Sequence, residues 1–181
     1  MHLYREIDFE HEEEITEQLL AVVRDLNPDL TYSVRFQNEV IEQRVPRLYE
    51  QFQRMGLELD VFREFCSPPG KGAAIHKDGT AQYPKSIAIN WPLENCAGTK
   101  MIWWDTLGLP PSFFTYENID ATFGHFVPLY AEADCHQLDT LELVRPTVLN
   151  VGIHHSVTNP QQLYRRMVSF RFQQDPFYLL L

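Results

Sequence analysis

His76 and Asp78 place an imidazole and a carboxylate two residues apart, and a second imidazole, His155, stands shortly before the turn signal Asn159-Pro160. On an extended segment, residues i and i+2 project from one face, so His76 and Asp78 can converge on a single metal ion. With His155 the set becomes two imidazoles and one carboxylate, which leaves coordination positions open. A closed structural zinc site would take four Cys or His ligands, whereas this open face is the ligand set of non-haem iron(II). Arg165 and Arg166 follow ten and eleven residues after His155. A planar guanidinium pairs bidentately with a carboxylate, so either arginine suits the recognition of an acidic cosubstrate.

Taken alone, a His-x-Asp motif in a chain with seven histidines carries little, because short motifs recur by chance. The surrounding text adds weight. The run Ser86 to Cys96 contains Asn90-Trp91-Pro92-Leu93 and Asn95-Cys96. Thr99 to Trp104 follows, then His155-Ser156-Val157-Thr158-Asn159 and the arginine pair. In this order of motifs the chain resembles the 2-oxoglutarate/Fe(II)-dependent oxygenase superfamily. The nearest match is to its aspartyl/asparaginyl β-hydroxylase-like members, whose pattern runs HxD, an Asn-x-Pro-Leu strand with Asn-Cys, then HxVxN and an Arg. The resemblance spans residues 60–172; the helical region before it carries no family signal.

That resemblance implies a double-stranded β-helix, the jelly-roll or cupin-like core. It also implies iron(II) held by His76, Asp78 and His155, with 2-oxoglutarate as cosubstrate and its far carboxylate on Arg165. Ser86 and Asn90 would touch the cosubstrate, although hydrogen bonding that caps a strand before Pro92 explains them equally well. The implied reaction couples decarboxylation of 2-oxoglutarate to succinate with O2-dependent hydroxylation of an amino acid, a peptidyl side chain or a small metabolite. Lys85 departs from the arginine common at its position, which weakens any inference about a substrate-carboxylate clamp.

The elements that must position these residues divide in two. Residues 10–27 carry Ile15, Leu19, Leu20, Val22 and Val23 behind a glutamate-rich front end, which suits an amphipathic helix with acids near its positive N-terminus. Asn38 is placed to cap a second helix, with Pro46 kinking or dividing it and Gly56 stopping it. From residue 57 onward short β-rich runs alternate with turn signals, at 57–65, 73–78, 86–91, 100–104, 141–144, 147–153 and 165–172. The class read from this is mainly β with N-terminal helices (α+β). It is organised as one domain, 1–181, in which a helical part, 1–56, packs on a β core, 57–181.

Strand parity separates the neighbouring candidates. In 165–172, Val168, Phe170 and Phe172 share one face and Arg165, Met167, Ser169 and Arg171 the other. If the apolar face lies under the helices, Arg165 points into the barrel and Arg166 is left outside, where its loss should matter little. The same reasoning prefers His155 to His154. His125 and His136 lack a partner at metal-ligand spacing. Trp91, Trp103 and Trp104 read as packing, and Tyr83, in the loop after His76 and Asp78, as a pocket residue.

Composition excludes several classes. The 181 residues and 44% hydrophobic content suffice for one core. A net charge of −10 disfavours a nucleic-acid footprint. The opening residues lack the apolar run of a signal peptide and no stretch approaches a membrane span, so the expectation is a cytoplasmic protein with no membrane partner. Cys66, Cys96 and Cys135 are odd in number and scattered, which suits neither a disulfide framework nor a zinc pair. Two rivals remain: a non-catalytic cupin-like module that binds a small molecule or metal, and a zinc hydrolase, which would leave the spaced arginine unexplained.

Overall fold

The computed structural model describes residues 2–78, 86–109, 112–115 and 126–181. Three helices, α1 (Glu12–Leu26), α2 (Glu39–Arg44) and α3 (Pro46–Arg54), are followed or flanked by twelve strands in the described residues. The strands are β1 (Tyr4–Glu6), β2 (Ser33–Phe36), β3 (Leu59–Ser67), β4 (Ala73–His76), β5 (Ile87–Glu94), β6 (Lys100–Asp105), β7 (Ser112–Thr115), β8 (Phe126–Leu129), β9 (His136–Glu142), β10 (Thr147–Asn150), β11 (His155–Thr158) and β12 (Arg165–Phe172).

Pro46 starts α3 rather than kinking a longer helix, as its fixed φ and missing N–H allow at a first turn. Gly56, at φ 70°, closes α3, and the Leu57 N–H returns to the Phe52 carbonyl. Asn38 does not cap α2 with its side chain. Its amide donates instead to the carbonyls of Leu59 and Asp60 and so ties the helix start to β3.

The larger sheet has the order β1-β10-β5-β12-β3-β2 and the smaller the order β4-β11-β6-β9, with all neighbours antiparallel. Along the chain β3, β4, β5, β6, β9, β10, β11 and β12 fall in the large, small, large, small, small, large, small and large sheets. That alternation is the double-stranded β-helix. β7 and β8 form a separate hairpin inserted between β6 and β9, and β1 and β2 extend the edges of the larger sheet.

Two apolar layers result. Ile15, Leu19 and Val23 of α1 and Leu48 and Phe52 of α3 pack on the outer face of the larger sheet against Ile89, Trp91, Val168, Phe170 and Phe172. Phe170 lies between Phe52 and Phe62, with ring centroids 5.2 and 5.4 Å away. Removing such a ring costs about 3–5 kcal/mol, so the outer layer firmly sets which face of β12 looks inward. Between the sheets, Ala88, Met101, Trp103, Leu149 and Met167 form the second layer. Among the described residues no helix is long and apolar enough to cross a membrane.

Candidate metal centre

His76 ends β4 and His155 begins β11, and the two stand directly opposite in the antiparallel pair. His155 is also opposite Trp103 of β6, whose side chain lies between the sheets, so both imidazoles face the barrel interior. Asp78, two residues beyond His76, is fixed by its backbone N–H to the Val151 carbonyl at 2.9 Å. The turn that supplies this carbonyl needs Gly152, because a Cβ there would lie 2.4 Å from the Cβ of Ser86. One potential ligand atom from each of His76, Asp78 and His155 falls within 4.8 Å of the others.

The hydrogen bonds select the nitrogen that faces the centre. The Nδ1 of His76 lies 2.7 Å from the Ala74 carbonyl, and that of His155 lies 2.8 Å from the Ile153 carbonyl. A carbonyl oxygen can only accept, so each Nδ1 carries a proton, and in the neutral ring each Nε2 keeps its lone pair. The Nε2 of His76 is 3.4 Å from Asp78 Oδ1. Two imidazole lone pairs and one carboxylate oxygen therefore converge, which fits a divalent transition-metal ion with open positions.

Electrostatics agree with that donor set. Burial acts to raise the Asp78 pKa, but the His76 hydrogen bond and the charges of Arg171 and His155 outweigh it, and the carboxyl is held well below the usual range. Burial, then the charge of His76, pushes His155 down to about 4, so it is neutral and ready to ligate. His76 is raised: burial opposes its charge, but Asp78 and the Ala74 carbonyl prevail. His154 is half-buried against Tyr130, outside this cluster, and its pKa is lowered by burial and by Lys77.

The two arginines have different fates. Arg165 lies on the concave face with Met167, buried, its Nε donating to Thr99 Oγ1 at 3.2 Å and its Nη2 to Met167 Sδ at 2.9 Å. Among the described residues no carboxylate pairs with it, although burial acts against its charge. Thr99 immediately precedes β6 and lies four positions from Trp103, the partner of His155, which puts it about 13 Å along the barrel at ~3.3 Å per residue. Arg166 is on the other face, as parity requires, but it is not outside. It is 4% exposed, donates its Nε–H to Glu64 Oε1 at 2.6 Å and its Nη2–H to the carbonyls of Val23 and Asn27, and so caps the C-terminus of α1. The apolar layer of α1 covers this end of β12, and an arginine beneath it must be paired.

Ser86 donates its hydroxyl to Asp175 Oδ2 at 2.7 Å, and its backbone N–H to the same oxygen at 2.9 Å, so its hydroxyl hydrogen is committed within the protein. Asn90 is buried on the concave face, opposite Ser169, and its Oδ1 has no hydrogen-bond partner among the described residues. Tyr83, Lys85 and His125 lie outside the described residues. His136 is exposed on β9, opposite Asp105. Trp91 and Trp104 pack and donate their indole N–H to Thr16 and Ser156, and Trp103 donates to the Asn150 carbonyl. Cys66 is pushed up to about 11 by burial and by Glu64, so it remains a thiol.

A residue beside this cluster that motif reading passed over is Arg171. Its Nη2 donates to Asp78 Oδ2 at 2.6 Å and its Nη1 to Ser169 Oγ at 2.8 Å. Its place on the Arg165 face of β12 was the available signal.

No sequence-family model matches the chain, and no curated protein matches it. Solved structures do. AviO1 from Streptomyces viridochromogenes Tue57 superposes with a TM-score of 0.52 at 13% identity, over 97% of this chain and 92% of that one. SnoN, a non-heme alpha ketoglutarate dependent epimerase from nogalamycin biosynthesis, gives a TM-score of 0.52 at 13% identity over 98% and 83%. Its complex with Fe3+, alpha ketoglutarate and nogalamycin RO matches at the same TM-score and identity over 98% and 84%. The likeness is one of fold.

Proposed function

We propose that the chain is an Fe(II)- and 2-oxoglutarate-dependent oxygenase that hydroxylates an amino acid, a peptidyl side chain or another small molecule. The observation that carries this reading is a conjunction in the space between the two sheets. An open-sided His76/Asp78/His155 set stands at one end, and a buried guanidinium, Arg165, with only neutral partners among the described residues, stands toward the other. A buried cation without a counter-ion is costly unless a ligand supplies the anion. The SnoN complex, of the same fold, holds iron and alpha ketoglutarate, which supports the reading.

Bound iron(II) with 2-oxoglutarate supplies the O2-dependent oxidation, releasing succinate and CO2 as the substrate gains a hydroxyl. The protein's residues do the positioning. His76 and His155 keep their Nε2 lone pairs inward by donating Nδ1–H to backbone carbonyls, and Asp78 contributes the charged ligand. Arg165 takes the far carboxylate of the cosubstrate. Met101, Trp103 and Met167, buried in the apolar layer between the sheets, would keep water from that space. Asn90 Oδ1 requires a donor, which 2-oxoglutarate at neutral pH lacks, so this acceptor suits an N–H or O–H of the primary substrate or an ordered water. The aspartyl/asparaginyl-like subclass rests on motif order, and two motif residues serve as loop ties: Asn95 donates to the Tyr164 carbonyl and Asn159 to that of Pro68.

Anaerobic protein loaded with Fe(II) and then exposed to O2 and 2-oxoglutarate tests the reading. Succinate formation above an Asp78→Ala control is the expected result. Its absence, with Fe(II) and 2-oxoglutarate both bound, would favour a non-catalytic binding module.

A further inference from the structure

We propose that Arg171 is the positioning residue that makes Asp78 a one-oxygen ligand. The inference rests on the reading of His76, Asp78 and His155 as a metal site. A carboxylate can hold an ion through one oxygen or both, and which it does decides how many coordination positions remain for other ligands. Asp78 has its two oxygens divided: Oδ1 faces His76 Nε2 at 3.4 Å, while Oδ2 accepts from Arg171 Nη2 at 2.6 Å. The pair is 10% and 11% exposed, so solvent competes weakly for either partner. Arg171 is itself held, since its Nη1 donates to Ser169 Oγ at 2.8 Å on the same strand face. A guanidinium anchored through two of its nitrogens cannot swing aside as a lysine would. Turning Oδ2 toward the ion would break a short charge-assisted hydrogen bond and leave a buried cation without its anion.

The site is thereby kept open by a residue that does not touch the ion. Asp175 completes the frame: its carboxylate accepts from Ser86 N–H, Ser86 Oγ–H and Ile87 N–H, and while burial opposes the Arg171 charge, Asp78 and then Asp175 favour it. The chain after β12 is thus tied to the start of β5 beside the same guanidinium.

The test uses Co(II) in place of iron, because its visible d–d bands report coordination number and symmetry without turnover. Arg171→Gln is expected to shift the band positions and intensities and to weaken Co(II) binding by roughly tenfold to a hundredfold, the range for lost outer partners of a ligand. Arg171→Lys, which keeps a cationic donor near Oδ2, is expected to restore part of both. A folded Arg171→Gln protein with wild-type spectrum and affinity overturns the proposal. If that variant does not fold, a crystal structure of the Co(II)-loaded wild type decides it: Oδ1 alone at ligand distance is expected, and both oxygens at ligand distance overturn it. Failure of the wild type to bind Co(II) at all would instead sink the metal-site reading beneath it.

Discussion

The two faces of β12 carry neighbouring arginines under opposite electrostatic conditions. On the outer face, which it shares with Val168, Phe170 and Phe172, Arg166 has Glu64 at 2.6 Å and two helix-end carbonyls, so its charge is matched inside the protein. On the inner face, Arg165 touches Thr99 and Met167 and has no carboxylate among the described residues. One arginine is saturated and fastens α1 to the sheet; the other has charge to spare. A buried cation whose partner lies within the chain reads as structure. One without a carboxylate partner among the described residues, facing the same interior as a metal-ligand set, reads as a binding site.

The largest effect should come from breaking the saturated member. Arg166→Met leaves Glu64, fully buried, without its counter-ion, and removing one partner of such a pair typically destabilises by about 3–5 kcal/mol. Denaturant unfolding should show that loss, with much of it recovered in the Arg166→Met/Glu64→Gln double variant. A change within experimental error would mean that the outer face is wetter than the structure places it.

Arg165→Met should act on the ligand and spare the fold, since it removes a buried charge that nothing in the described chain neutralises. Truncating one member of a buried carboxylate pair costs about 2–5 kcal/mol, so 2-oxoglutarate affinity should fall by roughly thirtyfold or more. Anaerobic calorimetry should register this with metal affinity unchanged, and denaturant midpoints should stay at or above the wild-type value. Loss of stability without loss of affinity would reverse the assignment of the two faces.

Parity along 165–172 was legible in the sequence, and so was the aim of Arg165; the dryness of the opposite face was not. Arg166 is buried because Glu64, 102 residues earlier, and the end of α1 close over it. Strand alternation tells which residues share a face but not what lies against that face. The His76–Asp78 pair was readable because its geometry is local. Arg171 was not, because its partner Asp78 lies 93 positions away and an arginine on a strand carries no motif. Most core strands were found from their apolar runs, but β11, reading His-Ser-Val-Thr, has none and was not among them, and β9 was met only at its last residues. β1, three residues reading Tyr-Arg-Glu, and β2 have no such run, and they exist only because β10 and β3 offer edges to pair with. Residues 1–56, expected to be helical, accordingly also contribute these two strands.

A smaller effect concerns protons at the inner face. Metal binding requires neutral imidazoles. The His76 pKa is raised in the metal-free protein, whereas His155 is already neutral well below neutrality, at about 4. Protons therefore compete with the metal at His76 first. Affinity should rise about tenfold per pH unit up to the His76 pKa and then level, with about one proton released per ion, and a second only toward pH 4. Two protons released near neutrality would mean that His155 is not neutral there.

Smallest is Thr99→Val, which deletes the acceptor for Arg165 Nε but leaves its charge. One neutral hydrogen bond is worth about 0.5–1.5 kcal/mol, so 2-oxoglutarate affinity should fall by roughly threefold to tenfold. An effect as large as that of Arg165→Met would show that Thr99 contacts the cosubstrate itself.

The metal set is most directly tested by anaerobic Fe(II) titration of the wild type beside His155→Ala, Asp78→Ala and His154→Ala. The geometry predicts one ion per chain in the wild type and near-wild-type affinity in His154→Ala. It predicts weakening by roughly tenfold or more in the other two, at least the loss seen when outer partners of a ligand are removed. Wild-type affinity in His155→Ala, or an equal loss in His154→Ala, would contradict the convergence of His76, Asp78 and His155 on one ion.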